Sequence, residues 1–143
     1  MKLNELEKTV LIQYMENLGI PLESVDILEE IELESRDFSG VGFLSILKKP
    51  LTIKVGKAIT GGDVGVILNS SMDTGYLFFV RNGYLSSIEG YNYESEPWPK
   101  EISKMEVYKI KYGQTNESCQ EKTRGLPFQR FWDKLKSVLR GWL

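Results

Sequence analysis

The stretch Gly75-Tyr76-Leu77-Phe78-Phe79-Val80-Arg81-Asn82-Gly83-Tyr84-Leu85-Ser86-Ser87-Ile88-Glu89-Gly90 predicts a β-hairpin closed by Asn82-Gly83. A type I′ turn holds both central residues at positive φ, and Asn-Gly supplies this at the least steric cost. A two-residue loop then pairs Arg81 with Tyr84, Val80 with Leu85, Phe78 with Ser87, Leu77 with Ile88 and Tyr76 with Glu89. In that register one face carries Tyr76, Phe78, Val80 and Leu85, and the other carries Leu77, Phe79, Tyr84 and Ile88. Both are apolar, so the sheet built on this hairpin needs a covering layer on each side.

The N-terminal side supplies one layer. Residues 5–18 predict a helix capped by Asn4, with Glu7 at the reciprocal capping-box position and Gly19-Pro21 ending it. Leu6, Val10, Leu11, Tyr14, Met15 and Leu18 recur at spacings of three and four, which makes a single apolar stripe. A shorter helix is expected over roughly 22–30, with Val25 and Leu28 inward. From Ile31 the pattern alternates, with Ile31, Leu33 and Ser35 on one side and Glu32, Glu34 and Arg36 on the other, as in a half-exposed strand. Ser39-Gly40-Val41-Gly42 breaks it before a second run, Phe43 to Leu47.

Beyond that, Leu51, Ile53 and Val55 alternate as in a short strand and Gly56 to Gly62 reads as a loop. Residues 63–68 predict a strand, Pro99 starts a helical turn over 100–102, and residues 104–112 predict the last strand. Residues 113–125 form a polar linker. Residues 126–143 predict an amphipathic helix with Phe128, Phe131, Trp132, Leu135, Val138, Leu139 and Trp142 on one side and Arg130, Lys134, Lys136 and Arg140 on the other. The expected class is α+β: an N-terminal helix, a mainly antiparallel sheet of five to six strands around the Asn-Gly hairpin, and a C-terminal helix packed on the same domain as the second cover.

At 143 residues the chain predicts one domain, which buries about two-thirds of its unfolded surface. The charge is unevenly placed: residues 1–50 hold 10 acids and 5 bases, residues 51–113 hold 7 of each, and residues 114–143 hold 3 acids and 6 bases. The single Cys119 cannot form an internal disulfide, and the first residues lack the apolar run of a signal peptide, so a cytosolic protein is expected. No window approaches the roughly 18 apolar residues of a membrane-spanning helix.

Catalytic motifs are missing. The chain has no histidine, which removes the commonest general base, the commonest metal ligand and any Ser-His or Cys-His pair. Gly56 and Gly61 have the glycine spacing of a phosphate-binding loop, but Gly62-Asp63 follow where Lys-Ser/Thr is required. No cofactor or metal is expected, and no residue is assigned a catalytic role. One carboxylate, Glu89, falls opposite Tyr76 and near Tyr91 and Tyr93, so these four define an alternative pocket for a small neutral ligand, with Glu89 as an acid or base.

The denser feature is acidic. Asp26, Glu29, Glu30, Glu32, Glu34 and Asp37 place six acids in twelve residues, interrupted by Arg36 alone. Such a surface suits a basic protein partner, whose encounter it would steer, and argues against nucleic acid. The bland alternative is a solvated edge and helix end. The basic C-terminal helix has the further alternatives of an anionic membrane surface or a partner's groove.

Phe38-Ser39-Gly40-Val41-Gly42-Phe43, Asp63-Val64-Gly65-Val66-Ile67, the run from Gly75 to Tyr93 and Trp98-Pro99 together resemble a family of small bacterial α+β proteins over about residues 3–112. That family has no established activity, so the resemblance implies a fold and no catalytic residue. Its size, acidic lean and plan are similar to immunity proteins of bacterial toxin systems. The analogy implies a basic toxin domain as the partner of the 26–37 surface.

Overall fold

The protein is described by a computed structural model that covers residues 1–20, 26–55, 59–60 and 63–110. The expected linker at 113–125, the helix at 126–143 and Cys119 lie outside the described residues. In chain order the elements are α1 (Glu5–Asn17), α2 (Asp26–Glu30), β1 (Leu33–Phe38), β2 (Gly42–Leu47), β3 (Ile59–Thr60), β4 (Val64–Leu68), β5 (Met72–Arg81), β6 (Tyr84–Asn92) and β7 (Met105–Lys109). The fold is α+β. Six strands follow one antiparallel path, β1-β2-β6-β5-β4-β7, and the short β3 also pairs with β5.

The opening hairpin forms β5 and β6 at the centre of this path. Asn82 and Gly83 have φ of 53° and 88°, as a type I′ turn requires. Arg81 pairs with Tyr84 and Val80 with Leu85, as expected, but Phe79 then pairs with Ser87, Phe78 with Ile88, Leu77 with Glu89 and Tyr76 with Gly90. Ser86 is an extra residue in β6, a β-bulge that shifts every later pair by one. The shift corrects the expected faces: Ile88 joins Tyr76, Phe78, Val80 and Leu85, while Glu89 joins Leu77 and Phe79.

A second bulge acts in β1. Leu33 pairs with Leu47 and Ser35 with Ile46, leaving Glu34 unmatched. The simple alternation expected from Ile31 onward therefore reverses at Glu34. Arg36, expected to point outward, faces the same side as Leu33, and Ser35 and Asp37 face the other.

α1 covers the face that holds Tyr76, Phe78 and Ile88. The Asn4 side chain accepts from the Glu7 N–H at 2.9 Å and the Glu7 carboxylate accepts from the Asn4 N–H at 2.8 Å, which completes the capping box. Gly19 at φ 73° lets the Ile20 N–H reach the Met15 carbonyl and ends the helix. Leu6, Val10, Leu11, Tyr14 and Met15 are buried, each aliphatic side chain contributing about 1.5–3 kcal/mol. The Tyr14 ring stacks on Phe78 at 3.9 Å and 3°. This layer is a core shared with β4 through Val64, Val66 and Leu68.

One ionic contact anchors the layer. Glu7 is fully buried and accepts from Arg36 Nε and Nη2 at 2.7 Å each and from Ser45 Oγ at 2.6 Å. Glu7 raises the Arg36 pKa further above its already high ordinary value. A buried carboxylate is tolerated only when its oxygens are paired in this way.

Two shorter expectations change. Residues 51–55 form no strand, yet the Leu51 and Val55 N–H groups donate to the carbonyls of Leu85 and Gly83. The helical turn expected after Pro99 is not formed, because Asn69 holds this segment through the Glu101 carbonyl and the Ser103 N–H.

Arg36→Met leaves the Glu7 charge buried without its cation, and is expected to lower the unfolding free energy by about 3–5 kcal/mol in urea denaturation. Lys48→Ala, at an exposed pair, is expected to cost less than about 1 kcal/mol.

Candidate functional site

The acids of the 26–37 stretch divide into two groups. Glu29 bonds Lys8 Nζ at 2.7 Å, and Glu32 lies 3.6 Å from Lys48 and 3.7 Å from Lys2. These lysines hold both carboxyls below the usual carboxylate range, in Glu29 chiefly through the Lys8 hydrogen bond and in Glu32 chiefly through the Lys48 charge. Glu30, Glu34 and Asp37 are exposed, and no ion pair within the described residues engages them. The side chain of Asp26 lies outside the described residues.

These three acids run from the end of α2 along β1, an edge strand of the sheet. The bulge at Glu34 and the parity it sets place Glu34 and Asp37 in solvent while Arg36 turns inward. Among the described residues only the start of this edge is closed, by the Leu33 N–H bond to the Met1 carbonyl and the Lys2–Glu32 bridge. Beside α2 is a cleft of about 410 Å³ lined by Glu30 and Glu32 on one side and Lys48, Lys49 and Pro50 on the other.

An apolar feature adjoins the acids. Phe38 follows Asp37 and is 61% exposed, the most exposed large aromatic side chain of the described residues. It lines a second cleft, of about 230 Å³, with Leu6, Phe43, Trp98, Ile102 and Met105. The Asn92 side chain builds its wall by donating to the Val41 carbonyl at 3.1 Å and accepting from the Glu96 N–H at 3.1 Å. That bend lets the Trp98 N–H donate to the Gly40 carbonyl at 2.7 Å and sets the Trp98 ring edge-on to Phe43 at 5.4 Å.

The four residues of the alternative pocket do not come together. Tyr76 is on the α1 face, its hydroxyl 2.8 Å from Thr74 Oγ1, and burial pushes its pKa up. Glu89 is on the opposite face, 2% exposed, paired in register with Leu44 and Leu77. The Ser86 bulge separates them.

Tyr91 and Tyr93 do lie on the Glu89 side, where they pack a different floor. Gly65 and Gly75 face each other across β4 and β5, and this pair of missing side chains admits the aromatic rings. A Cβ at Gly75 would stand 2.5 Å from the Tyr93 hydroxyl oxygen and 2.8 Å from that of Tyr91, and one at Gly65 would overlap the Tyr108 ring. Tyr91 and Tyr93 meet edge-on at 5.5 Å. Tyr108 donates to Asp73 Oδ1 at 2.5 Å. Burial raises the Asp73 pKa, with the Tyr108 hydrogen bond opposing it, and burial likewise keeps the Tyr93 hydroxyl protonated. The rings fill the space that the glycines open, so this arrangement is packing.

Two features of the site were not found by sequence reasoning: the inward turn of Arg36 and the exposed Phe38. The signal for Phe38 was an aromatic at the end of a charged strand. Among the described residues no cluster of His, Cys, Asp or Glu is placed to hold a metal ion, and no helix is long and apolar enough to cross a membrane. No family model, curated protein or solved structure matches the chain. The functional reading therefore rests on these residues.

Gly75→Ala drives a methyl group into two tyrosine hydroxyls, and is expected to cost about 1–3 kcal/mol by chemical denaturation. Gly40→Ala, where no atom stands within 4 Å, is expected to cost only the strain of its positive φ.

Proposed function

We propose that the chain is a non-catalytic binding protein that engages a basic protein partner, of the kind a toxin domain presents to its immunity protein. The observation that carries this reading is the exposed row Glu30, Glu34 and Asp37, which no ion pair within the described residues engages, beside the exposed ring of Phe38. Exposed acids outside ion pairs steer a basic surface and raise its rate of encounter. An aromatic side chain at the end of that row supplies the desolvated anchor on which affinity concentrates. Glu29 and Glu32 contribute less, since Lys8, Lys2 and Lys48 already neutralise them.

The missing histidines and the burial of Glu89 both fit this reading. The resemblance to immunity proteins supports the choice of partner class, and the acidic row supports its charge.

A basic protein, if one is encoded beside this chain, is the partner to test, by co-expression and titration of the purified pair. Charge reversal at Glu30, Glu34 and Asp37 together is expected to weaken binding by at least about tenfold, or ~1.4 kcal/mol. The effect should fall mainly on the association rate and shrink with added salt. Phe38→Ala is expected to raise the dissociation rate, and reversal at Glu29 to change binding less. Affinity unchanged by the triple reversal would overturn the assignment of this surface.

A further inference from the structure

The face of the sheet opposite α1 is buried as well. Leu44 is 4% and Phe79 2% exposed, and Ile46, Ile67 and Leu77 are half-buried. Their register places all five on one side. α1 and the core it shares with β4 lie on the other side, and Leu44 and Phe79 do not belong to that core. No described helix packs over them. Outside the described residues, only 111–143 is long enough to lie across several strands.

We propose that residues 126–143 lie across this second face as an amphipathic helix. Length, reach and charge each support that occupant. Eighteen residues make a helix of about 27 Å at ~1.5 Å per residue. The path of six strands is about 24 Å wide at ~4.8 Å per spacing. β7 ends at Lys109 on one edge of the path, and the intervening residues 110–125 span up to about 50 Å when extended. That is ample to turn back over the sheet.

The chemistry also matches. Around the buried carboxylate of Glu89 the centre of the face is aliphatic and aromatic, as is the stripe of Phe131, Trp132, Leu135, Leu139 and Trp142. The charged residues placed on this face are Asp37, Asp73, Glu89 and Glu106 against Arg81 at the hairpin tip, Lys54 bridged to Tyr84 beside it, and Lys104, which pairs with Glu106 at 3.0 Å. The segment brings Arg130, Lys134, Lys136 and Arg140 against Asp133 alone. The face thus keeps a small excess of acid and the segment an excess of base, so their charges have opposite sign.

The test uses the full chain with Trp98→Phe, which leaves Trp132 and Trp142 as the only tryptophans. Their emission in the folded protein is expected at shorter wavelength than in urea, with several-fold less acrylamide quenching, and both unchanged by dilution to nanomolar protein. Leu77→Lys is expected to shift the emission to longer wavelength while far-UV circular dichroism is retained. Phe38→Lys, on the α1 face, is expected to leave it unchanged. Should Leu77→Lys fail to fold, Ile46→Lys and the dilution series give the same decision. Emission and quenching equal to those in urea would overturn the proposal, as would a folded Leu77→Lys with unshifted emission. A blue shift seen only at concentrations where the protein dimerises would assign the face to a second copy, and one seen only with phosphatidylserine vesicles would assign the segment to a membrane. Either result contradicts the proposal.

Discussion

The structure depends on a buried carboxylate. Glu7, three residues into α1, has no exposed surface and receives hydrogen bonds from the Asn4 backbone, from two nitrogens of Arg36 and from Ser45. Placing a charge there costs several kcal/mol of lost hydration, and the cost is recovered only where all the donors converge. They come from the helix cap, β1 and β2, so the helix has one position over the sheet in which Glu7 is satisfied. An apolar stripe alone would tolerate small slides and rotations, because burial has no direction. The ion pair supplies the direction, and Tyr14 then meets Phe78 ring to ring.

Two bulges make this contact and the candidate binding edge compatible. The extra residue at Glu34 turns Arg36 inward to Glu7 and leaves Glu34 and Asp37 in solvent. The extra residue at Ser86 brings Ile88 and Gly90 under α1, where Phe43 and Tyr76 close over the glycine. It also sends Glu89 to the other side. Without the β1 bulge the arginine would lie among the surface acids and neutralise them, and Glu7 would lose its cation. The acidity of the edge and the stability of the core thus share one cause.

The same bulges mark where sequence reasoning stopped. The Asn82-Gly83 turn, the Asn4 cap, the Gly19 stop and the stripe of α1 are local signals, and each stands where it was expected. A bulge leaves no such mark: Leu85-Ser86-Ser87-Ile88 alternates acceptably in either register, and only packing against Phe78 and Phe43 selects one. The grouping of Tyr76 with Glu89 followed from the unbulged register and fell with it. In the acidic stretch the residue types were legible, but their pairing was not. Lys8 reaches Glu29 across 21 residues and Lys48 reaches Glu32 across 16, so telling these neutralised acids from the rest needed the fold.

The central claim is that Glu7 and Arg36 act as one unit that positions α1, and a double-mutant cycle tests it most directly. Unfolding free energies are compared for the parent, Glu7→Gln, Arg36→Met and the double variant. If the pair is a unit, each single change strands its partner, and the double variant loses at least about 1 kcal/mol less than the two single losses combined. Losses that add to within about 0.5 kcal/mol would show that the two side chains stabilise the protein independently, and would contradict the account.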